Sequence, residues 1–339
     1  MKAWVVIPTY DACELVLRAL ESLAGSGAGL LVVDNGSTDG TAEAVAERFP
    51  HVRIVRNESN LGFGRAINRA ALDLEGDALV LVNNDTVCEP GFVEHICARL
   101  AEPDVGMVAG ILLLGSDPDL VDSAGIELDT TLRSWDALWN RPAAEIASAS
   151  DPVGPCGGAA AYRLDVFRRL GGFDEALFAY WEDVDLALRF RAAGWRCVLA
   201  RDARAVHHHG ATLGAASPAQ RRFEAFGRAY VLAKYRVAEA GLLTRARIAA
   251  LDWPVLAVHL LVRRELGPIR ARARGARAGR GQPPHRAPLE LATIGFRTAL
   301  GRQWGLLLLR LTGRLPAHLH DHVPARTADT RAAPPSSRA

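Results

Sequence analysis

Short apolar runs alternate with amphipathic stretches through the first third of the chain. Residues 4–7, 30–33, 52–55 and 78–82 are predominantly apolar runs of strand length, the mark of strands covered on both faces. Between them, residues 12–23 place Leu15, Ala19 and Leu23 at helical spacing, residues 38–49 follow the N-cap cluster Ser37, Thr38 and Asp39, and residues 64–72 form a third helical stretch. Strands alternating with helices predict right-handed crossovers and a mainly parallel central sheet with helices on both faces, an α/β fold. Ligands of such sheets sit at the carboxyl ends of the strands. PTYD (8–11), DNGSTDGT (34–41) and NNDT (83–86) all fall at those ends, so the pattern predicts a cleft of nucleotide size.

From residue 154 the pattern shifts to GPCGGAAAYRLDVFRRLGGFDE (154–175), then FAYWEDVDLALRF (178–190), GWRCVLA and RDARAVHHHG. A helical stretch follows from 223 to 240. Residues 248–262 and 304–311 are apolar but contain Asp252, Pro254 and Arg310, and neither run reaches the roughly 20 residues that span a bilayer. They read as interfacial helices in a basic extension, residues 241–316. Its Arg-rich part, 268–288, reads as a low-complexity linker, and 317–339 as a disordered tail.

Charge sharpens the division. The whole chain of 339 residues carries a net +2, yet residues 263–339 hold 15 Arg against 4 acids, a net +11, which leaves −9 for residues 1–262. The tail has few aromatics for base stacking and its arginines flank apolar runs, which favours an anionic membrane surface over nucleic acid. With 49% hydrophobic residues the body is globular, and five cysteines without close spacing point to neither a disulfide framework nor a zinc site. The apolar run before Pro8 is too short for a signal peptide. The expected location is therefore cytoplasmic, peripheral on the inner face of the membrane.

Four groups of residues suggest chemistry. Asp85 follows the apolar run ALVLV and would project a carboxylate from the ligand-bearing edge, either toward a hard divalent cation or as a cap for the turn before Pro90. Asp34 and Asn35 can hydrogen-bond a base or ribose, or the loop that holds them can cap the next helix. Asp185 is spaced to pair with Arg189, but the vicinal acids Glu182 and Asp183 behind Tyr180 and Trp181 exceed what capping requires and suit a general base on an acceptor hydroxyl. Of His207, His208 and His209, one can serve as a metal or phosphate ligand, or all three can be polar surface residues.

In this order, VVIPTYD (5–11), VVDNGSTDGT (32–41), NLGFGRAINRA (60–70), LVNNDT (81–86), the glycine-rich 154–175 stretch, WEDVDLALR (181–189) and the histidines resemble the family 2 inverting nucleotide-sugar glycosyltransferases of the GT-A fold. The resemblance covers residues 3–235, and VVDNGS, NLGF and NND are most similar to the rhamnosyltransferase branch of polysaccharide and cell-wall enzymes. It implies a catalytic domain at 1–240, with a nucleotide-binding half at 1–115 and an acceptor half at 150–215. Pro8, Thr9, Tyr10, Asp34 and Asn35 would hold a pyrimidine nucleoside, and Asn68 would lie on a helix facing it. Asn83, Asn84 and Asp85 match an Asp-x-Asp metal motif with neutral Asn83 in place of the first aspartate, so Asn83 and Asn84 would contact the donor and Asp85 with His207, or His209 as the fallback, would carry Mg²⁺ or Mn²⁺.

Gly157 and Gly158 would pass close to the donor sugar, Tyr180 and Trp181 would wall the acceptor pocket, Asp183 would be the base and Glu182 its acidic neighbour. The implied reaction moves a sugar from a nucleoside-diphosphate sugar, dTDP-rhamnose among the options, to a glycan or lipid-linked glycan acceptor in cell-envelope polysaccharide synthesis, with inversion and metal dependence. Asn83 also favours an alternative, a catalytically weak nucleotide-sugar-binding module at the membrane. A nucleotidyltransferase is disfavoured, because PTYDACE lacks a glycine-rich basic loop.

Overall fold

The computed structural model describes residues 1–208, 217–283, 285 and 288–312. His209 and the tail 317–339 lie outside them. Strands β1 (Ala3–Thr9), β2 (Gly29–Asp34), β3 (Arg53–Arg56) and β4 (Ala78–Val82) alternate with helices α1 (Cys13–Ser22), α2 (Thr41–Arg48) and α3 (Phe63–Ala71). After β4 come β5 (Thr86–Cys88), α4 (Phe92–Leu100), β6 (Val105–Leu114), β7 (Asp117–Ser123), β8 (Ile126–Leu128) and β9 (Ser134–Asp136). Then β10 (Ala159–Arg163), α5 (Leu164–Arg169), α6 (Glu182–Ala192) and β11 (Arg196–His207) complete the strands.

The sheet runs β3-β2-β1-β4-β10-β6-β11-β5, with β7 on β6. The first four strands are parallel, whereas β10 is antiparallel to both neighbours and β5 and β7 are antiparallel additions. The expected mainly parallel sheet is therefore a mixed one. The cause is the insertion of β10: a strand arriving from residue 159 pairs with β4 at Ala159↔Val82 through Arg163↔Ala78, a long-range choice that local periodicity does not encode.

Both faces are covered. Val16 and Leu20 of α1 with Ile96 and Leu100 of α4 pack on one face, and Ile67 of α3, Phe167 of α5 and Phe190 of α6 on the other. Every residue of β4 and β6 is buried, which is why ALVLV and VGMVAGILLL show no polar alternation. The N-cap of α2 is Gly40 at φ +84, just past the Ser37, Thr38 and Asp39 expected to open the helix; only glycine takes that left-handed turn readily.

Four helices form the C-terminal part: α7 (Pro218–Lys234), α8 (Leu242–Ala257, running into a π turn at Val258–Val262), α9 (Gly267–Arg280) and α10 (Phe296–Thr312). Most of the stretch read as an arginine-rich linker is thus the helix α9. Its Ala and Arg residues are good helix formers, and Ala271, Gly275 and Gly279 make a small-residue stripe along which α7 lies. A Cβ on Gly275 would sit 2.2 Å from the Phe226 carbonyl oxygen, and one on Gly279 2.3 Å from that of Tyr230. The extension is docked on the body through this contact. No helix among the described residues is long and apolar enough to cross a membrane.

Candidate active site

The carboxyl ends of β2, β1 and β4 lie side by side, and the loops leaving them interlock. Pro8 falls after β1 has parted from β4, whose pairing stops at Val6↔Leu81, so its missing N–H leaves no bond unmade there. The Thr9 hydroxyl accepts from Asn84 Nδ2 at 3.1 Å, tying the end of β1 to the end of β4. Tyr10 is half-buried beside Asp11, whose carboxylate accepts from the Thr38 amide at 2.7 Å. Asp34 is fully buried; Oδ1 accepts from the Ser37 amide at 2.9 Å and Oδ2 faces Arg56 Nε at 3.2 Å. Asn35 accepts from Asn57 Nδ2 at 2.8 Å and donates to the Gly62 carbonyl at 3.3 Å.

Asp34 and Asn35 therefore brace their own loop. Asn68, expected on the nucleotide side, has its amide on Phe173, donating to the carbonyl and accepting from the N–H, both at 2.8 Å. Both ends of its side chain hold the Gly172–Phe173 turn.

The metal-motif end has a different character. Asp85 and His207 are both about nine-tenths buried, and Asp85 Oδ1 lies 3.1 Å from His207 Nε2. That oxygen is buried and faces the imidazole. Two adjacent ligands of an octahedral cation with bonds of about 2.1 Å stand roughly 3 Å apart, so a buried carboxylate oxygen and an imidazole nitrogen at this separation fit Mg²⁺ or Mn²⁺. Asn83 sits on the other side, its amide donating to the Gly158 carbonyl at 3.2 Å. His208 is exposed, and its backbone amide donates to the Asp85 carbonyl at 2.8 Å.

A residue that no motif announced completes the group. Asp122 of β7, itself buried, holds His207 Nδ1 at 2.7 Å, the arrangement in which a carboxylate orients a metal-binding imidazole. Burial by itself would depress His207, but the carboxylates of Asp85 and Asp122 outweigh it and lift its pKa to about 10. The only signal in the sequence was the second aspartate of DLVDS, indistinguishable from an ordinary edge-strand acid.

One glycine turn connects this end to the acids of α6. The Gly157 amide donates to Asp183 Oδ2 at 3.3 Å, while the Gly158 carbonyl accepts from the Asn83 backbone amide, and a Cβ on Gly158 would lie 3.0 Å from Asn83 Nδ2. Asp183 Oδ1 also accepts from the Val184 amide at 2.8 Å. Burial raises the Asp183 carboxyl above the usual range, opposed by those two amides. Glu182 is buried with Oε2 lacking a hydrogen bond among the described residues, and burial together with the Asp183 charge raises it further. The Tyr180 phenol, too, is pushed up by burial and by the carboxylates of Glu224, Glu182 and Asp85. Asp185, in contrast, is structural: Arg189 Nε, Lys234 Nζ and the Tyr235 hydroxyl hold it at 2.8, 2.7 and 3.0 Å.

A buried acid without a partner is a burden on the fold. Because the Glu182 carboxyl is raised in the folded state, its favourable contribution is present at acid pH and lost as pH rises through the raised value. Glu182→Gln is expected to stabilise the protein at pH 8 by about 1–3 kcal/mol and to leave it nearly unchanged at pH 4.5. Thermal denaturation at the two pH values checks this, and an equal Tm change at both would refute it.

A cavity of about 490 Å³ opens at the opposite, amino-terminal edge of the sheet beside Ala3, Trp4, Gly29 and Cys97; it holds none of these groups.

A family model described as glycosyl transferase family 2 matches residues 4–171. N-acetylglucosaminyl-diphospho-decaprenol L-rhamnosyltransferase of Mycobacterium tuberculosis is 30% identical over 239 residues, covering 62% of this chain and 77% of the relative. The O-antigen chain rhamnosyltransferase WbaN of Salmonella anatum is 25% identical over 218 residues, covering 61% and 66%. Among solved structures, a mannosyltransferase of Pyrobaculum calidifontis in complex with GDP-Man and Mn²⁺ superposes with a TM-score of 0.51 at 20% identity, covering 94% of this chain and 85% of that one.

Proposed function

Because the chain belongs to glycosyl transferase family 2, we propose that it is an inverting enzyme transferring a sugar, L-rhamnose from dTDP-rhamnose as the first candidate, to a hydroxyl of a glycan or lipid-linked glycan in cell-envelope polysaccharide assembly. The names of the mycobacterial and Salmonella relatives support the sugar and the class of acceptor. The observation that carries the reading is the Gly157–Gly158 turn, which touches Asp183 on one side and Asn83, next to Asp85 and His207, on the other. An acid raised by burial above the usual carboxylate range and a cation-fitting pair thus face one small region.

Asp183 takes the proton of the acceptor hydroxyl as that oxygen attacks the anomeric carbon, and the bond to the diphosphate breaks with its electron pair leaving on phosphate oxygen. Attack from the face opposite the leaving group inverts the configuration. Asp85 and His207 would hold Mg²⁺ or Mn²⁺, which when bound offsets the charge of the departing diphosphate. Pro8, Thr9 and Tyr10 line the nucleoside side, kept in place by Asp34, Asn35 and Asn84. Tyr180 and Trp181 wall the acceptor side. Purified protein screened against dTDP-rhamnose, UDP-sugars and GDP-sugars should release nucleoside diphosphate with one donor in a Mn²⁺-dependent manner; no release with any donor refutes the reading. Asn83 supports the second reading, a weakly catalytic donor-binding module, for which donor would bind without turnover.

We further propose that α8 to α10 dock on an anionic membrane. Trp253, Leu261 and Val262 are 70%, 73% and 61% exposed, and Trp304 and Leu308 are about half exposed, among helices rich in arginine. Vesicles containing phosphatidylglycerol are expected to float the protein and pure phosphatidylcholine vesicles to float it several-fold less. The double change Trp253→Ser and Leu261→Ser should abolish flotation, and unchanged flotation would overturn the proposal.

A further inference from the structure

Two consecutive aromatic residues, Tyr180 at φ +66 and Trp181 at φ +77, adopt left-handed backbone immediately before Glu182 and Asp183. Side-chain-bearing residues resist that region, and such outliers persist only where the surroundings over-determine them. The surroundings here come from two directions. On the donor side, the Phe178 carbonyl accepts from the Phe63 amide at 2.9 Å, and Gly62 is so close that a Cβ would lie 2.4 Å from that carbonyl oxygen. On the other side stands α7. Phe223 stacks on Phe178 with centroids 5.0 Å apart, and Gly227 meets the Trp181 ring, where a Cβ would lie 2.6 Å from Cδ1.

The next residue of α7, Arg228, is 3% exposed and places its guanidinium over the Trp181 ring, 5.6 Å from the centroid. Three groups fix it: the Thr131 carbonyl at 2.9 Å, the Thr131 hydroxyl at 3.0 Å and Asp252 of α8 at 3.4 Å. Asp252, also 3% exposed, binds Arg133 at 3.4 Å and Arg272 of α9 as well. One buried carboxylate of the extension therefore gathers α7, α8 and α9 behind Trp181. The Trp181 carbonyl in turn accepts the first helical hydrogen bond of α6, from the Asp185 amide at 3.0 Å.

We propose that the C-terminal helices position the catalytic acid: α7, held by Asp252 through Arg228, clamps the Tyr180–Trp181 turn in its left-handed form, and Gly227 and Arg228 are positioning residues for Asp183. Without the clamp the turn relaxes toward ordinary backbone, and the start of α6 moves relative to Gly157. The nucleotide end of the site, built on β1, β2 and β4, is untouched by such a shift. The inference rests on Asp183 as the base, so its test is arranged to separate the two.

Gly227→Ala is the informative change: alanine would stabilise an isolated helix, but here its Cβ would press on the Trp181 ring and displace the turn. The clamp predicts that kcat, with the donor found by the screen, falls about 10- to 100-fold while the Kd for UDP and dTDP stays within twofold. Amide exchange in the peptide 178–190 should quicken at least tenfold, with the β1 and β4 peptides unchanged. Arg228→Lys keeps the charge toward Asp252 but loses the planar stack and the fork to Thr131; it should show the same pattern more weakly and decides the matter if Gly227→Ala does not fold. Wild-type kcat and wild-type exchange in a folded variant overturn the clamp, as does a loss shared equally by nucleotide binding. An Asp183→Asn enzyme that remains active refutes the base instead, leaving the exchange result to judge the clamp alone.

Discussion

Asp183→Asn is expected to bind nucleotide with wild-type affinity and to lose transfer by about 10²- to 10⁴-fold, the range a positioned general base supplies. Asparagine has the same shape and loses only the longer, 3.3 Å bond from the Gly157 amide, while its oxygen can still accept from the Val184 amide that now holds Asp183 Oδ1 at 2.8 Å, so the start of α6 should stay in place. What disappears is the basic carboxylate. Removing a buried charge should also leave the Tm unchanged or higher, since burial raises the Asp183 carboxyl in the native protein. The same shift predicts that kcat in the wild-type enzyme falls on acidification at a pH above that of an ordinary carboxylate, because the base must be deprotonated to act. Steady-state rates, nucleotide titrations and melting curves on one preparation test all three. Turnover within threefold of wild type in the variant would exclude Asp183 as the base.

Asp85→Asn is expected to lower Mn²⁺ affinity by more than about 100-fold, and transfer with it. Outer-shell partners of metal ligands are worth about 10- to 100-fold, and a direct ligand exceeds that. Here nothing else in the motif can compensate, because Asn83 is neutral. Asp122→Asn should fall within the outer-shell range: it keeps a hydrogen-bonding group near His207 Nδ1, now 2.7 Å from the carboxylate, but removes the charge that fixes the ring. Titration of Mn²⁺ by electron paramagnetic resonance gives both constants without turnover. Equal affinity in wild type and Asp85→Asn would remove Asp85 from the metal site.

The position of β4 could be read from the sequence because a strand buried on both faces must be apolar throughout, and ALVLV is. The Asp185–Arg189 pair was legible for a similar reason: four residues on a helix are one turn apart, so local geometry settles the contact. The polar clusters after β1, β2 and β4 were legible as a set, since parallel strands place their ends on one edge. The task of each side chain within those clusters was not. Asn35 and Asn68 have the residue type of ligand-binding groups, yet their partners, Asn57, Gly62 and Phe173, lie 22 to 105 residues away.

By itself, then, the sequence determined the alternation of elements, the acid pairs and the family. These depend on neighbours within a few residues or on motifs kept as contiguous strings. Tertiary structure alone decided that β10 inserts antiparallel beside β4, that Asp122 stands behind His207, and that an arginine-rich stretch is a helix packed on α7. It also decided that two aromatic residues are held left-handed before Glu182 and Asp183. Each of these is a contact between segments distant in the chain, where the energy comes from burial and pairing that no local window contains.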